Sequence, residues 1–126
     1  FPGLVSDIRA VLGACDVGFV LSYREAASYA SCETMAMGLP ALVSDAGGLP
    51  ENVRHGTDGW VVKAGDAGAL AERVVDILTR PGTLTAMGRS ARGRVEQMFC
   101  PDRFIESTHG VYTEARQQVR QALPPV

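Results

Sequence analysis

Glu25 and Glu33, two glutamates separated by seven residues, and the glycine pair Gly47-Gly48 form the chemically suggestive pattern in this sequence. A carboxylate is an acceptor-only group that takes several hydrogen bonds at once, which suits the vicinal hydroxyls of a ribose or the hydroxyls of a hexose. Glycines permit positive φ and close approach of backbone to a ligand. The stretch Ala26-Ala27-Ser28 between the glutamates leads into a segment from Tyr29 to Met37 that favours helix and is stopped by Gly38-Leu39-Pro40. The first amides of such a helix are unpaired and its dipole favours an anion, so a diphosphate would fit at its start. Glu33 lies about one turn inside, roughly 6 to 8 Å along the axis at ~1.5 Å per residue, and its side chain would lean back towards that phosphate. Glu25 would stand on the other side of the helix start, where a sugar on the distal phosphate projects. The amides of Gly47 and Gly48, with the turn at Leu49-Pro50-Glu51, would line the opposite wall of the same crevice.

The elements that must position these residues are legible in outline. Ser6-Asp7 can cap a short amphipathic helix over about 5 to 14, and Val17 to Leu21 is a near-continuous apolar run predicting a strand buried on both faces. Ala41 to Ser44 predicts a second buried strand, Glu51 to His55 one helical turn, Gly56 to Gly59 a polar flexible stretch, and Trp60 to Val62 a third strand. Asp66 caps a helix through Leu78, Pro81-Gly82 interrupts, a further helix runs from about Thr83 to Met98, and Pro101 starts the last. Leu123 to Val126 is a short tail. The order predicts an α/β fold, a Rossmann-like parallel sheet flanked by helices, whose ligand lies beyond the carboxyl ends of the strands.

The 126 residues are enough for one domain, and 46% hydrophobic with 21% charged residues is ordinary for a packed protein. No apolar run approaches the ~20 residues of a membrane span. A formal charge of -2 gives no general attraction for nucleic acid, and Arg89, Arg92 and Arg94 read as a solvated helix face. Three cysteines without a C-x-x-C spacing suit a reducing compartment and read as small apolar residues. His55 and His109 have no nucleophile or ligand-spaced partner and are read as satisfied or exposed, Trp60 as core, and Lys63 as a solvated strand end. No metal or cofactor is implied. Phe1-Pro2-Gly3 has neither a starting Met nor a signal pattern, so a longer parent chain is expected.

The combination of Glu25, Glu33-Thr34-Met35-Ala36-Met37-Gly38-Leu39-Pro40 and Ser44-Asp45-Ala46-Gly47-Gly48-Leu49-Pro50-Glu51 resembles the signature of glycosyltransferase family 4, a retaining family of the GT-B fold. Phe1 to Ser22, His55 to Val62 and Gly65 to Tyr112 are similar to flanking segments of that family. The resemblance implies that residues 1–126 are a fragment of the C-terminal, donor-binding domain, with upstream strands and the N-terminal acceptor domain of the same parent chain absent. It implies a nucleotide diphosphate sugar as donor and Glu33 as the ribose ligand. Glu25 would be the catalytic and donor-hexose contact, and amides near Ala27, Ser28 and Tyr29 would hold sugar and phosphate. A cytoplasmic enzyme, touching a membrane only through its absent part, is the corresponding expectation.

Where members typically read Glu-Gly-Phe-Gly-Leu, this chain reads Glu25-Ala26-Ala27-Ser28-Tyr29. That departure keeps open a second reading, a catalytically inactive nucleotide-sugar-binding or scaffolding domain. A GT-B epimerase of nucleotide sugars fits the fold as a third, but its acid and base residues are not found in the sequence.

Overall fold

Ala41 to Ser44 is buried at every position and forms the central strand, β2 (Ala41–Ser44), of a three-stranded sheet. In this computed structural model, which describes residues 3–122 and no side chain for Arg120 or Ala122, β1 (Gly18–Val20) and β3 (Gly59–Val62) flank it in the order β1-β2-β3. Both pairings are parallel, with Phe19 beside Leu42 and Leu42 beside Trp60. Parallel neighbours cannot be joined by a hairpin, and the crossovers are α2 (Tyr29–Ala36) and the single turn α3 (Leu49–Asn52). A short α1 (Ile8–Leu12) precedes the sheet, and α4 (Ala67–Thr79), a 3₁₀ turn at Pro81–Thr83, α5 (Leu84–Met98) and α6 (Pro101–Ala122) follow it.

Alternation along the strands divides the core in two. Ala41 and Val43 pack with Met35, Leu49, Val53 and Ala91 from α2, α3, the strand approach and α5. Leu42, Trp60 and Val62 point the other way, onto Ile77, Leu70 and Val74 of α4 and Leu84 and Met87 of α5. Met35, Leu42 and Leu49 are fully buried, each contributing about 2 to 3 kcal/mol from apolar area removed from water. Helices therefore cover both faces, and the chain is the Rossmann-like α/β arrangement expected from its element order.

The chain divides into two compact units, 1–95 and 96–126. The first contains the sheet and the helices packed on it. The second consists of the end of α5 and the 22-residue α6, on which Phe104, Ile105, Val111, Tyr112 and Val119 are exposed. Phe1, Pro2 and the tail Leu123 to Val126 lie outside the described residues.

Several local expectations are corrected. β1 is not buried on both faces: Phe19 is 52% exposed, because β1 pairs with β2 alone and is the outer strand among the described residues. The helical turn predicted at Glu51 begins earlier, at Leu49, since Pro50 is tolerated in a first turn whose N–H has no partner anyway. Cys15 is exposed and not a core residue, its thiol 3.3 Å from the Val11 carbonyl, whereas Cys32 and Cys100 are half-buried.

Gly56 to Gly59 is not a flexible stretch. Asp58 is fully buried and accepts from the Arg54 backbone N–H and from Arg54 Nε at 2.6 Å, while Gly56 adopts φ +77° to close the turn. His55 Nδ1 accepts from the Val61 N–H at 3.1 Å, which satisfies that histidine without chemistry. Asp58→Ala removes the acceptor of a charge-assisted bond and of a backbone amide together. It is expected to cost about 2 to 3 kcal/mol, read as a lower urea midpoint at unchanged slope.

Candidate functional site

Three loops leave the carboxyl ends of the strands, and side-chain and backbone bonds tie them together. Ser44 Oγ donates to the Ser22 carbonyl at 2.6 Å and accepts from the Ser22 N–H at 3.0 Å, linking the ends of β2 and β1. Asp45 Oδ1 accepts from the Ala64 N–H at 2.7 Å, linking β2 to the loop after β3. Gly65, at φ +80°, lies under the Tyr23 ring, where an added Cβ would sit 3.2 Å from the Tyr23 Cε1 atom. A small cavity of about 170 Å³ lies between these loops, lined by Leu21, Ser22, Tyr23, Ser44, Lys63 and Asp66 among others.

The glycine pair does something more specific than allow a turn. Gly47 adopts φ +53°, and a Cβ built on it would lie 1.7 Å from the Glu25 carbonyl oxygen. A Cβ on Gly48 would lie 2.3 Å from the Ala26 carbonyl oxygen, and the Gly48 N–H donates to the Glu25 carbonyl at 3.1 Å. The loop after β2 is thus seated directly on the loop after β1, backbone on backbone. Of the two expected positive φ values only Gly47 has one, Gly48 having φ -82°. The Gly48 amide, expected to line the crevice, is instead bonded to the Glu25 loop.

Ser28 is the N-cap of α2: its side chain accepts from the Ser31 N–H at 3.3 Å, and it is buried. Its hydroxyl therefore acts on the helix, which leaves Tyr29 and Ala30, the first two helical residues, as those whose amides lack an intrahelical acceptor. The side chains of Ala26, Ala27 and Tyr29 are exposed and Glu25 is half-buried. Among the described residues no non-glycine has positive φ, so the departures at 26 to 29 are accommodated without backbone strain.

Glu33, in the second turn of α2, is exposed and lines a groove of about 510 Å³ with Ala36, Met37 and residues from Ser6 to Leu12. In that groove the Asp7 carboxylate caps α1 and holds the Arg9 guanidinium through two bonds of 2.9 Å. The bond to Arg9 keeps the Asp7 carboxyl below its usual range. The structure brings Glu25, Ala26, Gly47 and Gly48 into contact, and sets Glu33 on the groove beside α1. Sequence reasoning assigned no role to Asp7, Arg9 or Leu12 there, because nothing in their spacing points across to α2.

Burial pushes the Cys32 thiol up, with the Glu33 charge adding to the effect, so the thiol stays protonated and a poor nucleophile. Arg94, read from sequence as part of a solvated face, donates instead to the carbonyls of Glu51 at 2.6 Å and Asn52 at 2.7 Å. Lys63 is exposed at the end of β3 and Trp60 is core, both as read. Among the described residues no group of three His, Cys, Asp or Glu is arranged to hold a metal, and no helix is long and apolar enough to cross a membrane.

Comparison with known proteins bears on what this arrangement is for. The family model for glycosyl transferases group 1 matches residues 1–80. D-inositol 3-phosphate glycosyltransferase of Streptomyces avermitilis is 34% identical over 108 residues, which is 86% of this chain and 23% of that protein. Among solved structures, sucrose-phosphate synthase from Thermosynechococcus elongatus matches with a TM-score of 0.78 and 29% identity over 88% of this chain and 28% of its own. Anabaena Alr3699/HepE, solved in complex with UDP, matches in fold with a TM-score of 0.83 and 23% identity over 90% of this chain and 32% of its own. The chain spans less than a third of each of these proteins. With the family model covering more than half of the chain, and the paired loops of its motif folded onto one another at the carboxyl end of a parallel sheet, the chain belongs to the glycosyl transferases group 1.

Proposed function

We propose that this domain holds a nucleotide diphosphate sugar for transfer of its hexosyl unit, with retention at the anomeric carbon, to an acceptor bound by another domain of the same polypeptide. One observation carries the reading: Gly47 and Gly48 seat the loop after β2 on Glu25 and Ala26 at the threshold of α2, so the two halves of the motif form one continuous wall. The diphosphate lies at the Tyr29 and Ala30 amides, where the helix dipole and unpaired N–H groups favour an anion. Glu33 holds the ribose in the groove beside α1, and Glu25 contacts the hexose. The Anabaena neighbour was solved in complex with UDP, which supports a nucleotide as the class of ligand.

Such a transfer needs stabilised charge on the departing diphosphate more than a protein nucleophile, and the departing phosphate itself can assist the incoming hydroxyl on the same face. No bound metal enters this reading. The domain by itself, lacking an acceptor site, binds donor weakly and does not turn over; the complete enzyme works in the cytoplasm.

A thermal-shift panel of UDP-, GDP- and ADP-sugars on the complete polypeptide tests the assignment, followed by nucleotide release from the sugar that stabilises it. Release is expected for the unaltered protein and a loss of at least about a hundredfold for Glu25→Ala, in the range of a removed transition-state contact. Stabilisation by a donor with no release under any condition would favour the inactive binding domain, and no stabilisation by any donor would end the reading.

A further inference from the structure

We infer that Asn52 is a positioning residue for the donor site, acting through the peptide group that joins Ser28 to Tyr29; the inference rests on the donor reading above. α3 is one turn long and has no intrinsic stability at that length, so its end must be held from outside. Arg94 does this from α5, its guanidinium donating to the Glu51 and Asn52 carbonyls that the helix itself leaves unpaired. With its backbone fixed, Asn52 directs Nδ2 to Ser31 Oγ at 3.0 Å and, at 3.5 Å, to the Ser28 carbonyl oxygen. The Ser31 hydroxyl, fully buried, donates its own hydrogen bond to the same Ser28 carbonyl at 2.9 Å. One hydroxyl thus accepts from Asn52 and donates to Ser28, as its valence allows.

The consequence lies at the other end of that peptide group. The Ser28 carbonyl and the Tyr29 N–H belong to one planar amide, so fixing the oxygen fixes the direction of the hydrogen. Donors on the oxygen also polarise the N–H and make it a stronger donor to an anion. Asn52 therefore aims and strengthens the first amide of α2, the one nearest the proposed diphosphate, and Arg94 keeps Asn52 in place.

The test uses the complete polypeptide, with UDP, GDP and ADP and their monophosphates as probes in calorimetry, at a temperature where circular dichroism shows each variant folded. Asn52→Ala and the near-isosteric Asn52→Asp, which cannot donate when ionised, are expected to lower the preference for diphosphate over monophosphate about tenfold. Ser31→Ala, which removes the 2.9 Å donor to the same carbonyl, is expected to lower that preference by at least as much, and the double variant to fall short of the sum of the two because both act on one carbonyl. A purely structural role would lower the melting temperature and leave that preference alone; a ratio within twofold of the unaltered protein in both folded variants overturns the inference and spares the donor reading. Failure of the unaltered protein to bind any of the three diphosphates overturns both.

Discussion

Gly47→Ala is expected to cost more than about 3 kcal/mol of stability and to remove donor binding. Two terms add. The αL conformation at φ +53° costs an alanine about 1 to 2 kcal/mol. The new Cβ would also stand 1.7 Å from the Glu25 carbonyl oxygen, a distance no relaxation of a side chain can relieve, because the atom it meets is backbone. The loop carrying Glu25 must move by more than an ångström, and with it the threshold of α2. Gly56→Ala separates the terms, since Gly56 has φ +77° and open space around its would-be Cβ. That variant should lose only the conformational part, about 1 to 2 kcal/mol. Urea unfolding of both variants measures the difference, and equal losses would show that the close approach of the two loops is not what selects glycine at 47.

Glu33→Ala is expected to weaken nucleotide binding by roughly 10- to 150-fold, corresponding to about 1.5 to 3 kcal/mol for a charge-assisted hydrogen bond. Stability should hardly change, because Glu33 is exposed and no packing is lost. The groove that Glu33 shares with Asp7, Arg9 and Leu12 is about 510 Å³, room enough for a nucleoside. A cycle with 2′-deoxynucleotide makes the test specific. The deoxy ligand should bind more weakly than the ribose form to the unaltered protein, and equally to Glu33→Ala, if the carboxylate reads the diol. Calorimetry giving the same affinity for Glu33→Ala and the parent would refute the ribose assignment.

These expectations connect stability and function through one structural fact, the contact of two loops at a helix start. A rigid threshold is useful because a donor amide placed in advance loses nothing to reorganisation when the anion arrives or gains charge. The bonds from Ser44 to Ser22, Asp45 to Ala64 and Gly48 to Glu25 each join segments far apart in sequence, so the platform is fixed by several independent ties.

Periodic and punctuated features were legible along the chain. The apolar run at Ala41 to Ser44, the cap at Asp66, whose side chain accepts from the Ala69 N–H, and the stop at Gly38 with φ +76° are local matters of burial pattern and backbone conformation. The family motif was equally legible, since its residues sit at fixed offsets along the chain. It took the folded arrangement to establish that Gly48 donates its amide to the Glu25 carbonyl, that Arg94 closes α3, that Asp58 is buried and that Phe19 is not. Each of these depends on which backbone or neighbour arrives from 4 to more than 40 positions away, and on whether a strand has a partner on its second side. Periodicity and residue type carry no record of such partners, because a hydrogen bond or a steric limit is set by distance in space and not by distance along the chain.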